Sequence, residues 1–384
     1  MAAALEAAKD EILEANTLDL EASQDMAVPA LVQSWLKLTP ERLQAAIEIL
    51  RELARVPDPL GQLSPAAYQP TAAQAYGQRF PLGVITLISE AFPALGAIAA
   101  GLCLRTANGL LLRGGSETSH SNQAIFSSLG QALEQAELPV ESALLLPTDQ
   151  GGSVQEFLEY QEGIDLIVPY GRASLVQQVI KGAVVPVIYP GLGNCYLYWS
   201  NSASFELVRW MLLESHRGEP DRVNALETVL LPPTFSTTNL ERLWQDLRQQ
   251  GVEIRGDETL QVTYPDLTPA SAAEWGKSHW SSHPVVAFRV VADLSEAIAL
   301  INTHSSGHAN ALATASYDES RQFSRNIRSA AVYINASPRF ERYPGQGATV
   351  ALGMACGSRW MSRGGFQGRI GLEMLTRTSQ VVLG

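Results

Sequence analysis

Few side chains in this 384-residue sequence can form and break covalent bonds: there are three cysteines and six histidines. Cys103, Cys195 and Cys356 are too few for a disulfide framework, and their spacing fits no zinc site, so no metal is expected. Cys195 follows Gly191-Leu192-Gly193-Asn194 in a strand-like run. A thiol there would be a nucleophile if ionised, although a strand cysteine is ordinarily buried and inert. His279 with His283, and His304 with His308, stand four residues apart, the spacing that puts two imidazoles on one helical face. Neither pair carries the glutamate of a zinc hydrolase, and Gly307 beside two serines disfavours a helix, so loop histidines are expected. Glu90, just past an apolar run, has the position of a general base or of a cap.

The most chemically suggestive stretch is Asp221-Arg222-Val223-Asn224-Ala225-Leu226-Glu227-Thr228, a polar loop that runs into an apolar segment. Ser204 to Glu214, just upstream, reads as helix, and a loop held between a helix and a buried strand positions reacting groups rigidly. For a cofactor, no Gly-x-Gly-x-x-Gly follows the first strand of the α/β region and no phosphate-binding Gly-x-x-x-x-Gly-Lys-Ser/Thr occurs. The better candidate is Arg113-Gly114-Gly115-Ser116, where two glycines after an apolar run let backbone approach a ligand. The same residues also suit a plain tight turn with Ser116 as helix N-cap.

These groups need a scaffold, and the apolar pattern supplies one. The first sixty residues are helical by period, with Leu43, Ile47, Leu50 and Ala54 on one face after the Thr39-Pro40 start signal. From Pro81 onward, short apolar runs alternate with helical segments. Expected strands are 84–88, 110–113, 142–146, 165–168, 185–188 and 195–198, then 228–231, 285–291, 310–314 and 331–335. Helices are expected at 97–106, 122–135, 203–214, 238–249, 294–302 and 318–327. Strands apolar on both faces, interleaved with helices, predict parallel sheets and two α/β domains in tandem, with a boundary near Ser200–Ser202.

Composition narrows the function. Charged residues make up 17% and the net charge is −12, which repels phosphate backbones and argues against nucleic-acid binding. No apolar run reaches the roughly 18 residues of a membrane span, and Met1 to Asn16 lacks the pattern of a secretory signal, so a cytoplasmic, reduced protein is expected.

Taken in order, the sequence words resemble the γ-glutamyl phosphate reductase family of the aldehyde dehydrogenase superfamily over nearly the whole chain. They include Leu38-Thr39-Pro40-Glu41-Arg42-Leu43, Pro81-Leu82-Gly83-Val84-Ile85, Leu112-Arg113-Gly114-Gly115, Asp165-Leu166-Ile167-Val168-Pro169, Asn224-Ala225-Leu226-Glu227-Thr228, Gly307-His308 and Ala331-Val332-Tyr333-Ile334-Asn335-Ala336-Ser337-Pro338-Arg339-Phe340. The resemblance implies an aldehyde-dehydrogenase-like fold, with a Rossmann-like NADP-binding domain (1–60 and 81–200), a catalytic domain (201–338) and a small β extension used in oligomers (61–80 and 339–384). It implies NADPH-dependent reduction of L-glutamate 5-phosphate to the 5-semialdehyde in proline synthesis. In that chemistry a cysteine thiolate attacks the acyl phosphate and hydride then releases the aldehyde.

The resemblance carries over Asn224 beside the nucleophile position, Glu227, His308, and Arg113, Gly114, Gly115 and Ser116 at the cofactor loop. It also marks departures. The family's cysteine stands where this chain has Val223, its Gly-Gly-Lys is Gly114-Gly115-Ser116, and its Glu-Ala-Arg-Pro is Glu90-Ala91-Phe92-Pro93. Altered thioester chemistry is therefore expected, the alternative being a non-catalytic paralogue that serves as a binding or regulatory subunit beside an active paralogue or the upstream kinase.

Overall fold

Apolar runs with no polar face can be satisfied only when both faces of a sheet are covered, and two such parallel sheets set the architecture. The computed structural model describes residues 1–65, 74–147, 152–159, 161–188, 190, 193–217, 222–271, 274–276, 284–345, 349–355 and 367–383. Two compact units emerge: Met1–Gly191 with Arg342–Gly353 and Arg369–Gly384, and Leu192–Glu341 with Met354–Gly368.

The first unit carries a four-stranded parallel sheet in the order Ala143–Leu145, Gly109–Arg113, Val84–Ser89, Leu166–Tyr170. Helices Pro93–Arg105, Ser119–Gln135 and Ala173–Gly182 accompany it. The chain leaves Val84–Ser89 toward one edge and later returns on its other side. Its carboxyl end is thus the switch point at which open α/β sheets take ligands. Helix Pro40–Arg55 starts where the sequence signals it, with the Thr39 hydroxyl accepting from Arg42 N at 3.3 Å. Its core face is Leu43, Ile47, Leu50 and Leu53; Ala54 is exposed instead, because the period falls one residue earlier.

Leu63–Pro65, Gln74–Pro81 and Thr376–Leu383 form a separate three-stranded antiparallel sheet. Thr376 faces Pro81 and Leu383 faces Gln74, so the last strand is paired along its whole length.

The second unit holds a seven-stranded parallel sheet: Thr268–Pro269, Glu253–Gly256, Val285–Val290, Leu226–Leu231, Cys195–Trp199, Ala309–Ala313 and Ala331–Ile334. One face packs Val208, Met211, Leu212, Trp244 and Phe288 from helices Phe205–Ser215 and Thr237–Gln249 and the sheet itself. The other packs Tyr196, Tyr198, Ile298, Ile301 and Phe323 with helices Leu294–His304 and Tyr317–Asn326.

Three expectations need correction. The boundary falls one strand earlier than Ser200–Ser202, since Cys195–Trp199 pairs inside the second sheet with Leu226–Leu231 and Ala309–Ala313. Residues 185–188 form no strand and contribute only a single bridge from Val187 to Ile167. Strands Glu253–Gly256 and Thr268–Pro269 lay outside the expected set, because both are short and carry few apolar residues to reveal them.

Candidate active site

In the second unit the strands Cys195–Trp199, Leu226–Leu231 and Ala309–Ala313 run parallel, so their amino ends lie at one edge of the sheet. The residues before and within those ends bring three sequence candidates together, Val223, Cys195 and His308. Gly193 is the hub. Its N–H donates to the Val223 carbonyl at 2.7 Å. A Cβ placed on Gly193 would lie 2.8 Å from that carbonyl oxygen, 3.0 Å from Cys195 Sγ and 3.0 Å from His308 Cγ. Only glycine fits there, and Val223, Cys195 and His308 are gathered within one side chain's breadth.

Each group has a defined setting. Val223, in the turn before strand Leu226–Leu231, is 2% exposed and offers only hydrocarbon. Asn224, 1% exposed, donates from Nδ2 to the Pro338 carbonyl at 3.0 Å, while its Oδ1 meets no donor among the described residues. Glu227 owes its position to a bulge: Cys195 faces Leu226 and Tyr196 faces Thr228, leaving Glu227 as the extra residue, a device that re-aims a side chain at a sheet edge. His308 is fully buried, with Nδ1 2.8 Å from the Ser306 hydroxyl, and it lies in the loop after helix Leu294–His304 rather than on a helical face shared with His304. His279 and His283 lie outside the described residues, as do Gly191, Leu192 and Cys356.

Cys195 shares the surroundings of Gly193 with the Val223 carbonyl and is fully buried. Burial pushes its thiol up to about 12, with the Glu227 carboxylate pushing the same way and hydrogen bonds to the Ala309 backbone and Ser306 opposing. Burial thus favours the neutral thiol, whereas the reactive form of a cysteine is the thiolate.

Arg222, which the sequence offered only as a loop residue, is half-buried immediately before Val223. Desolvation lowers its pKa, while the Glu227 carboxylate opposes that shift. Nearby, burial takes His216 down to about 4, its Nε2 lying 3.0 Å from the Leu226 carbonyl, so this imidazole is neutral.

The cofactor-loop candidates belong to the first unit, at the carboxyl end of its sheet. Arg113 closes strand Gly109–Arg113 and donates to the Gly152 carbonyl. A Cβ on Gly114 would meet Asn122 Nδ2 at 2.2 Å and one on Gly115 would meet the Glu117 carboxylate at 2.2 Å, so both side chains lie close against the turn. Ser116 is exposed as the first residue of the short helical turn Ser116–Thr118, whose N-cap is Gly115. The N-cap expectation for Ser116 is thus not met. Glu117, which sequence reasoning passed over, accepts from Ala91 N at 2.7 Å and is raised by burial.

Glu90 accepts from Arg172 N at 2.9 Å and Nε at 2.7 Å, an ion-paired acceptor rather than an available base. Phe92 stacks on Trp35 at 4.8 Å and meets Tyr170 edge-on at 5.2 Å, so its side chain serves packing.

No protein-family model matches the chain. It is 46% identical over 385 residues to gamma-glutamyl phosphate reductase 2 of Synechocystis sp., an alignment covering 100% of this chain and 90% of the relative. The crystal structure of gamma-glutamyl phosphate reductase from Thermotoga maritima superposes with a TM-score of 0.87 at 31% identity, covering 100% of this chain and 91% of that one. A probable aldehyde dehydrogenase from Listeria monocytogenes, 15% identical with a TM-score of 0.66 over 100% of this chain and 91% of that one, shares the fold alone. On this identity and coverage, the chain belongs to the γ-glutamyl phosphate reductase family, built on the aldehyde dehydrogenase fold.

Proposed function

We propose that the chain acts on L-glutamate 5-phosphate, or an acyl phosphate of that type, as a reductase that yields the 5-semialdehyde and phosphate in proline biosynthesis, without a thiol at the usual position. The observation that carries this reading is the end-to-end likeness to relatives named for that activity. NADPH is the proposed cofactor; when bound it supplies the hydride. The turn with two adjacent glycines at the carboxyl end of the sheet suits a dinucleotide, and Arg113, Gly114, Gly115 and Ser116 would hold it. Ser116 offers a hydroxyl where the family has a cation, so a weaker hold on the cofactor phosphates is proposed.

Within the catalytic unit, Asn224 would meet the substrate oxygen and Glu227 and His308 would frame the pocket. Removing the nucleophile of a well-studied protease costs about 10⁶ in turnover, roughly 8 kcal/mol of barrier. Val223 therefore sets the reading apart from that of a fully competent enzyme. The second reading, a non-catalytic binding or regulatory subunit, is favoured by the same residue together with Phe92 and Ser116. A homo-oligomer formed through the small antiparallel sheet and a cytoplasmic location complete the proposal.

The decisive assay is phosphate-dependent NADP⁺ reduction with glutamate 5-semialdehyde. We expect a rate several orders of magnitude below that of a cysteine-bearing relative, a gain on Val223→Cys, and no effect of Cys195→Ala. A Val223→Cys protein that folds, binds NADPH and stays inactive would favour the regulatory reading. So would co-purification with a cysteine-bearing paralogue.

A further inference from the structure

The arginines of the second unit that are drawn into the protein are generally answered by carboxylates. Arg209 pairs with Asp246, Arg255 with Glu253 at 2.8 Å, and Arg339 with Glu214 and Glu341. Arg222 is different. It is half-buried and its charge is penalised by desolvation, yet no hydrogen bond or ion pair ties its guanidinium to any described residue. Its backbone is nonetheless fixed, since Ala225 N donates to the Arg222 carbonyl at 3.2 Å and closes the turn that carries Val223 and Asn224.

Glu227 is within electrostatic reach but makes no bond to it, and the neutral His216 has its Nε2 committed to the Leu226 carbonyl. A partly dehydrated guanidinium with five donors and no acceptor is unfavourable by itself and becomes favourable when an anion presents two oxygens to its fork.

We propose that Arg222 is a specificity residue whose guanidinium holds the phosphoryl oxygens of an acyl-phosphate substrate beside residue 223. The inference rests on the reductase reading for the identity of the substrate. A phosphoryl group is favoured over a remote carboxylate because it is attached to the carbonyl carbon that must react, and Arg222 is adjacent in sequence to the position that carbon faces in the family's chemistry. In the family's arginine place, Phe92 is buried against Trp35 and Tyr170 and can hold no anion. Arg222 forms and breaks no bond; it orients the leaving group and meets its charge.

The test uses the full chain and inorganic phosphate as probe, with acetate as the carboxylate control, by titration calorimetry or ³¹P line broadening. Wild type should bind phosphate in preference to acetate, Arg222→Gln should weaken phosphate at least tenfold, and Arg222→Lys should lie between. Phosphate should also slow phenylglyoxal modification of Arg222 in the wild-type protein, a readout that needs no variant to fold. Equal phosphate affinity in wild type and Arg222→Gln, equal binding of acetate, or modification unaffected by phosphate would each overturn the proposal. Failure of the reductase reading is separable: it appears as absent semialdehyde-dependent NADP⁺ reduction even where phosphate binding through Arg222 persists.

Discussion

At the scale of single residues, what distinguishes this site is how little titratable chemistry reaches neutral pH. Cys195 and Cys103 are both raised to about 12 by burial. Folded protein at pH 8 should therefore leave both unmodified by iodoacetamide while urea exposes them, as peptide mapping would report; native labelling of Cys195 would reopen it as a nucleophile. Glu117 gives a second prediction. Burial raises its carboxyl above the ordinary value of 4.5, so the folded state holds the proton more tightly than the unfolded chain. The associated stability is present at low pH and is lost as pH climbs through the raised value. Gln keeps an acceptor for Ala91 N but cannot ionise, so Glu117→Gln should gain on wild type from pH 4 to pH 8 in urea midpoint. An unchanged difference across that range would refute the argument. The motif words singled out Val223, Asn224, Glu227 and His308, and the structure gathers the Val223 carbonyl and His308 with Cys195 around Gly193. Arg222 and Glu117 were not legible, because nothing in a residue's type reveals whether its charge is answered.

At the scale of elements, apolar periodicity worked where buried faces are greasy and failed where they are polar. Helix Lys9–Asp25 buries Ile12, Asn16, Asp19 and Ser23, one face at helical spacing but mostly hydrophilic. Asn16 accepts from Leu38 N at 2.8 Å and donates to the Leu36 carbonyl at 2.9 Å. Asp19 takes the Ser121 and His120 N–H groups at 2.8 and 3.0 Å, capping helix Ser119–Gln135 from outside, since Thr118 supplies no cap bond. A carboxylate serving free N–H groups of a helix start is favoured both by hydrogen bonding and by the helix dipole. Asp19→Ala should therefore cost about 2–3 kcal/mol, with Asp19→Asn retaining part of it, measured by urea unfolding. A loss below about 0.5 kcal/mol for Asp19→Ala would mean that water replaces the cap without penalty. The short strands Glu253–Gly256 and Thr268–Pro269 escaped the sequence for the related reason that a half-exposed strand need not be apolar.

At the scale of the molecule, tandem α/β organisation was readable because both sheets are parallel and covered, which forces continuous apolar strands. The boundary was not, since Cys195–Trp199 looks like any other buried strand and only its pairing assigns it to the second sheet. No helix among the described residues is long and apolar enough to cross a membrane. If the first unit takes a dinucleotide at its sheet edge, ligand binding must stabilise the folded chain by mass action. At about 100 times the dissociation constant the gain is about 2.7 kcal/mol, and for domains of 150–250 residues each kcal/mol moves the melting midpoint by about 2–4 °C. NADPH should thus raise the midpoint by several degrees in a saturable way. Ser116 carries no charge, so if this loop holds the cofactor NADH should do nearly as well, because no cation there meets an additional phosphate. Ser116→Lys should then widen the gap in favour of NADPH. A midpoint indifferent to both cofactors at millimolar concentration would remove the dinucleotide from the function of this chain, and a Ser116→Lys variant that shifts both equally would move the phosphate contact elsewhere.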